Sequence, residues 1–406
     1  PLSTAAAGLG ARDVHLAVSR AAVAHAPRRL RGGRVEFVVA VDLEHGARRE
    51  RGSRAYHAAV TPPPARARKP WRRRLAAASL GIGLPCLALE VGVRLVHGAP
   101  LGQREPLQLV ETSPLRGWRH VPGRDFHTFD QLASINALGL RGPEVEPRVE
   151  GELRVVALGD SMTFGVGVAD GDTLPAALER ELEALRGAPV TVFNTGHASY
   201  STNQEVALLH ELDDVLDPDV VVLMWFFNDL VDEDVAQRAA HLASVGPSAF
   251  ETQGPFEGWP ATRWRIGEAL RTSAVLSYVH WQQDYRRHGR FEGFERGFES
   301  LPVWLDLLEA RCRELGAELF VVVIPFSASL ARDNACRPLE ERAVDLFRAR
   351  GLATFETRAA LEAALPELGR VPHVRYDYHY DAAGNAVQAR AAAQWLAEHL
   401  RLGSPR

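Results

Sequence analysis

From Arg154 onward the chain alternates between short, uninterrupted apolar runs and longer stretches with helical periodicity. The runs are LRVVAL, VTVFN, DVVVLMWF, ELFVVVIP and LATFE. The helical stretches are TLPAALERELEALRG, NQEVALLHELDDVL, LPVWLDLLEARCREL, RPLEERAVDLFRARG and AAGNAVQARAAAQWLAEHL. Apolar runs of about four to eight residues without polar alternation fit strands covered on both faces, and helices between them supply the crossovers that make strands parallel. The predicted fold class is α/β, a three-layer α/β/α sandwich around a central parallel sheet. With 406 residues and 46% hydrophobic content, the chain can build one large domain plus extensions. Residues 231–300 interrupt the alternation. This aromatic-rich stretch, with Trp259, Trp264, Trp281, Phe291, Phe294 and Phe298, reads as an inserted, partly helical cap.

The strand ends carry the chemistry. In VVALGDSMTFGVG, residues 155–167, the first strand runs into Gly159, Asp160 and Ser161 and then into a helix start. Ser and Asp there suit a helix cap. They equally suit a nucleophile at the carboxyl edge of a parallel sheet, where a helix N-terminus favours developing negative charge. A serine nucleophile needs a base, an orienting group and oxyanion donors. FNTGHASYS puts Asn194 and Gly196 after the second strand, WFFNDL puts Asn228 after the third, and YDYHYDAAGN puts Asp377 and His379 before the last helix. Each piece alone has a bland reading as a cap, a turn or a solvated side chain. Asp160 is expected to be structural, Asp229 to bond its own loop, His197 to be a solvated loop residue more often than a site residue, and Gln204 to tie the second loop to its helix. Their joint order at successive strand ends favours a site.

GDSMTFG with Ser161, NTG with Gly196, ND with Asn228 and DYH with Asp377 and His379 make the chain resemble the SGNH hydrolases, also called GDSL-type esterases and lipases. The likeness extends over about residues 110–402. Upstream, LRGWRHVPG, INALGLRGPE and ALEVGVRLVHG resemble the lead-in of the membrane-anchored bacterial branch. The resemblance implies a flavodoxin-like sandwich and ester cleavage. It implies a triad of Ser161, His379 and Asp377, with an oxyanion hole from the Ser161 and Gly196 N–H groups and the Asn228 side chain. Three positions depart from the family pattern: Phe227 and Ser199 stand where glycines are usual, and one residue rather than two separates acid from base. Asp381 is a rival orienter better suited to capping the last helix.

The N-terminal part has a different character. Residues 1–74 hold 16 Lys and Arg against 5 Asp and Glu, a surplus of 11, while the whole chain carries −4, so the remainder is acidic by 15. This basic segment is rich in Ala, Arg, Gly and Pro and is expected to be mostly disordered. Residues 75–97 follow as a membrane helix or signal anchor. Residues 75–89 carry no charge, and the run reaches the roughly 20 residues of a span only by including Glu90 and Arg94. A signal peptide is the competing reading, and both place everything after residue 98 outside the cytoplasm, in a periplasmic or extracellular location. Residues 98–150 form a lead-in and 151–402 the catalytic domain. The first methionine is Met162, so the sequence is read as a fragment or as including upstream translated residues.

Other classes fit less well. Cys86, Cys312 and Cys336 form no metal pattern, and no metal or cofactor is called for. Cys312 and Cys336 read as a disulfide or as two packed thiols. GVGVADG misses the dinucleotide spacing, the one lysine is Lys69, and Met162 stands where a phosphatase would want a second Asp. The basic arm lacks the interleaved aromatics of a nucleic-acid binder, so nucleic acid is not an expected partner. The expected partners are an ester-bearing small molecule, lipid or glycan, and the membrane through the N-terminal helix. The function read is serine-dependent cleavage of acyl or O-acetyl esters. O-acyl transfer onto an envelope polysaccharide and non-catalytic polysaccharide binding remain as alternatives.

Overall fold

In the computed structural model the described residues are 70–232, 234–245, 248–249, 272–287, 293–331 and 334–402. The basic segment 1–69 lies outside them, as do Trp259, Trp264 and Phe291 of the expected cap.

The first element is α1 (Pro70–His97), which starts five residues before the uncharged run. By length and composition it is the one helix among the described residues able to cross a membrane. Where the sequence reading assigned no structure, the lead-in forms β1 (Leu109–Ser113) paired with β2 (Gly117–His120), and a hairpin of β3 (Phe126–Thr128) with β4 (Gln131–Ala133). Strands of this length are too short to show a period in sequence.

The central unit begins with β5 (Leu153–Gly159), followed by α2 (Ser161–Phe164), α3 (Leu174–Arg186), β6 (Val190–Asn194), α4 (Thr202–Leu216) and β7 (Val220–Trp225). The insert contributes α5 (Val235–Val245), the two-residue β8 (Ser248–Ala249) beside β1, and α6 (Ala274–Arg287). Then come α7 (Gly293–Leu315), β9 (Glu318–Val323), α8 (Cys336–Ala349), β10 (Ala353–Glu356), α9 (Arg358–Leu368) and α10 (Ala382–His399).

The five central strands are all parallel, in the order β10-β9-β7-β5-β6. Every residue of β7 is buried, as continuous apolar strands covered on two faces must be. The helices pack in pairs, α3 with α10 and α4 with α7. The chain leaves β5 for β6 on one side and then returns to place β7 on the other. That reversal opens a crevice at the carboxyl ends of β5 and β7, the place where open α/β sheets bind ligands. Ser161 follows β5 directly.

Two helix starts are fixed by local caps. Thr173 caps α3 by accepting from Ala176 N, with Pro175 in the first turn and Gly187 in the left-handed conformation at the far end. Ser201 and Gln204 make a capping box at α4. Cys312 and Cys336 are buried thiols with no disulfide, so the packed-thiol alternative describes them.

Candidate active site

The turn that carries Ser161 is shaped by backbone demands. Gly159 admits no Cβ, which would meet Thr163 Oγ1 at 2.0 Å and Met224 O at 2.9 Å. Asp160 caps the turn, its carboxylate accepting from Met162 N at 2.8 Å. The helix is one turn long and stops at Gly165, whose φ is +88°. Ser161 therefore stands on a single turn, and the helix dipole expected behind it is small.

Ser161 Oγ lies 2.7 Å from His379 Nε2, across 218 residues of chain. His379 Nδ1 lies 2.5 Å from Asp377 Oδ1. That carboxylate oxygen also accepts from the His379 backbone N–H at 2.9 Å. One carboxylate thus holds both the backbone and the ring of the residue two positions on, which is how a one-residue spacing between the two side chains works. The carboxylate fixes the proton on Nδ1 and leaves Nε2 to accept from the serine. Asp160 Oδ2 competes for the same hydroxyl at 3.2 Å, and the shorter contact belongs to the imidazole. Burial works to lower the His379 pKa, but the charge and hydrogen bond of Asp377, with the charge of Asp160, outweigh it and hold the imidazole above its ordinary value. Burial works to raise Asp377, and His379 overcomes it, so that carboxylate sits below its ordinary range. Asp381 accepts from Gly384 N and caps α10 instead.

The other two expected positions adjoin this line without lining the cleft. Gly196 packs so closely on the Ser161 turn that a Cβ would meet Phe164 N at 2.2 Å. Its N–H donates to Asn194 Oδ1 at 3.1 Å. The Asn228 side chain, in a 3-10 turn over Phe227–Leu230, hydrogen-bonds Asp160.

Ser161, Asp377 and His379 open on a cleft of about 540 Å³. Its walls come from residues 100–108 and 127–129 of the lead-in, Ser199 of the second loop, and Leu276, His280 and Trp281 of α6. The insert aromatics divide by role. Trp281 faces the cleft, whereas Phe294 and Phe298 are buried in the core.

The GDSL-like lipase/acylhydrolase family model matches residues 157–387, more than half of the chain. The chain belongs to the GDSL-like lipase/acylhydrolase family. Its parallel sandwich is the SGNH fold. Among similar solved structures, a two-domain esterase (CEX) active on acetylated mannans aligns at 14% identity and TM-score 0.35, over 61% of this chain and 49% of that one. The psychrotrophic esterase EstA from Pseudoalteromonas sp. aligns at 9% identity and TM-score 0.35, over 61% and 98%. The lipase/acylhydrolase from Enterococcus faecalis aligns at 14% identity and TM-score 0.35, over 63% and 99%. The chain thus spans about half the length of the two-domain esterase. No curated protein sequence matches it.

Two departures from the family pattern now have a local account. Ser199 keeps the left-handed conformation that a glycine would adopt freely, at φ +65°. Phe227 takes up an apolar site, buried against Phe294 and Phe326 with ring centroids 5.7 Å away in each case. The sequence reading of His197 as a solvated residue is corrected. His197 is fully buried, stacked on His120 at 4.2 Å and Tyr200 at 4.4 Å. Burial, with nearby positive charge, pushes both imidazoles well below their ordinary pKa, His120 to about 3. Asp229 bonds its own loop as expected, accepting from Phe226 N at 2.7 Å. Gln204 does more than tie its loop, since its amide also donates to Arg116 O at 2.7 Å.

The residue that sequence reasoning missed is Arg141, within INALGLRGPE. Its buried guanidinium donates to the carbonyls of Phe164 at 3.0 Å, Gly165 at 2.6 Å and Val168 at 2.7 Å, and to Asp170 at 2.8 Å. Its backbone bridges to Asn194. Arg141 thus clamps the Ser161 turn to the loop carrying Gly196. An arginine in a Gly-rich lead-in offers no sequence signal for this task.

Proposed function

We propose that this hydrolase cleaves carboxylic esters, acyl or O-acetyl, with Ser161 as nucleophile, and that it works outside the cytoplasm on a membrane anchor. The observation that carries the reading is the unbroken line Ser161–His379–Asp377 at the mouth of the cleft. His379 takes the hydroxyl proton as Ser161 Oγ attacks the carbonyl carbon, and Asp377 stabilises the imidazolium that forms. The imidazolium then protonates the leaving alkoxide, and a water activated by the same imidazole releases the acyl group. The Ser161 and Gly196 N–H groups and the Asn228 amide are the oxyanion donors. In this structure the last two are hydrogen-bonded to Asn194 Oδ1 and Asp160. Each such donor is worth about 100- to 1,000-fold in turnover.

The anchoring part of the reading is supported by α1 alone, whose N-terminal end carries Arg72, Arg73 and Arg74 on the side that stays in the cytoplasm. In this reading residues 98–150 are a lead-in to a hydrolase domain at 151–402, with the insert at 231–300 forming part of the cleft wall.

The test is hydrolysis of a short chromogenic acyl ester by the full chain. Ser161→Ala is expected to lose activity by about 10⁶-fold, and a serine-reactive phosphonate to label Ser161 alone. Equal rates in both proteins would refute the assignment.

A further inference from the structure

The uncharged stretch of α1 and its charged end do different things. Every described side chain from Trp71 to Leu89 is exposed, and contact with the domain begins at Glu90. At 1.5 Å per residue those roughly 19 residues reach about 28 Å, close to the ~30 Å of a bilayer core. Glu90 is thus where the domain starts.

Its carboxylate accepts from Ala274 N at 2.8 Å, Val275 N at 3.2 Å and Ser273 Oγ at 2.8 Å. Arg94, one turn on, donates to Glu90 at 2.7 Å and to Thr272 O at 2.7 Å. Glu90 therefore acts as the N-cap of α6 from another element, satisfying N–H groups that the first turn of any helix leaves without acceptors. Leu276, His280 and Trp281 of that helix line the cleft. Just past α1, Tyr376 OH donates to Gly98 O at 2.8 Å and Arg375 Nη1 to Ala99 O at 2.6 Å, so the loop carrying Asp377 and His379 rests on the same exit. Pro100 and Leu101 then join the cleft wall. A passive tether would need none of these contacts, and an apolar span has no use for a carboxylate.

We propose that Glu90 is a positioning residue for the cleft and that the apolar helix is consequently kept in the working enzyme as part of its active-site wall. The proposal rests on the reading of the site as an ester-cleaving, membrane-anchored one. It sets the cleft mouth at the outer face of the membrane. There the exposed Leu276 and Val279 of α6 continue the apolar surface of α1.

The test uses the full chain extracted from membranes and held in phosphatidylcholine nanodiscs. Intact mass is expected to show residue 90 present, and a chain beginning beyond it overturns the proposal. With 4-nitrophenyl butyrate, Glu90→Ala is expected to raise KM about tenfold while kcat stays within about twofold. Glu90→Gln, whose amide oxygen still accepts, recovers most of that loss, and Leu84→Ala in the exposed stretch matches the unaltered enzyme. No change in Glu90→Ala, or a loss confined to kcat, overturns the proposal. Amide hydrogen exchange gives a reading independent of turnover. Ala274 and Val275 are expected to exchange about tenfold faster in Glu90→Ala, also when Ser161→Ala is present. Unchanged exchange refutes the positioning role. Absence of any Ser161-dependent hydrolysis would instead refute the catalytic reading, with exchange still deciding on Glu90.

Discussion

Asp377 Oδ1 receives both the ring and the backbone of His379, so the tautomer and the orientation of the imidazole are set by one atom. The consequence is a pH profile. Because His379 titrates above 6.5 in the folded chain and must be neutral to accept the serine proton, kcat/KM is expected to rise with pH through an inflection above 6.5. Asp377→Asn removes the charge that raises it, so the inflection should move down, and kcat should fall on the order of 10⁴-fold. An unmoved inflection in that variant would show that Asp377 does not set the imidazole pKa. Ser199 makes a second residue-scale case. At φ +65° a β-branched side chain is strained, so Ser199→Val is expected to cost about 1–2 kcal/mol in urea unfolding, whereas Ser199→Gly stays within about 0.5 kcal/mol. The sequence pointed to Ser161, Asp377 and His379, which the fold brings together, because each lies at an element boundary within a short motif. It could not expose His197, whose burial depends on Trp118 and His120 from a distant strand.

At the scale of elements, the site is held by pieces that carry none of its chemistry. Arg141 satisfies three carbonyls at the end of the Ser161 turn while Asp170 neutralises it. Arg141→Lys keeps the charge but offers no planar fork. It is expected to cost about 3 kcal/mol in stability and at least about tenfold in kcat, read from unfolding and from hydrolysis of the short ester. An unchanged kcat would mean the Ser161 turn stands without the clamp. On the other side, the loop after β9 supports the one carrying His379. Tyr380 OH donates to Pro325 O at 2.8 Å and Ser327 Oγ to Tyr378 O at 2.5 Å. Glu340 accepts from Phe326 N at 2.7 Å and is paired in turn with Arg358. Apolar periodicity announced β9 and α8 as elements. It said nothing of these polar ties, because a hydrogen bond between loops leaves no period in either of them.

For the molecule as a whole, the acidic surplus of the body includes carboxyls placed in its interior. Glu205 is fully buried, and among the described residues neither of its oxygens has a hydrogen-bond partner. Burial and the charge of Asp160 push its pKa well above the ordinary range; burial, Glu205 and Asp160 do the same to Asp229. A carboxyl whose folded pKa is raised stabilises the fold below its unfolded pKa, and that contribution is lost as pH rises from about 4.5 through the folded value. Glu205→Gln cannot ionise, so its Tm is expected to fall less than that of the unaltered chain between pH 5 and pH 8. Parallel curves would refute the buried-carboxyl account. The sequence by itself determined the layered parallel architecture, the serine at the end of its first strand and the division between an apolar N-terminal helix and an acidic body. It could do so because burial and charge are written residue by residue. Only the tertiary structure decided that the serine meets a histidine 218 residues away, that Arg141 ties the Ser161 turn to the loop carrying Gly196 and that Glu90 caps a cleft-wall helix. Those meetings follow from strand order at a reversal point and from buried polar groups finding partners, and neither has a local signature in the chain.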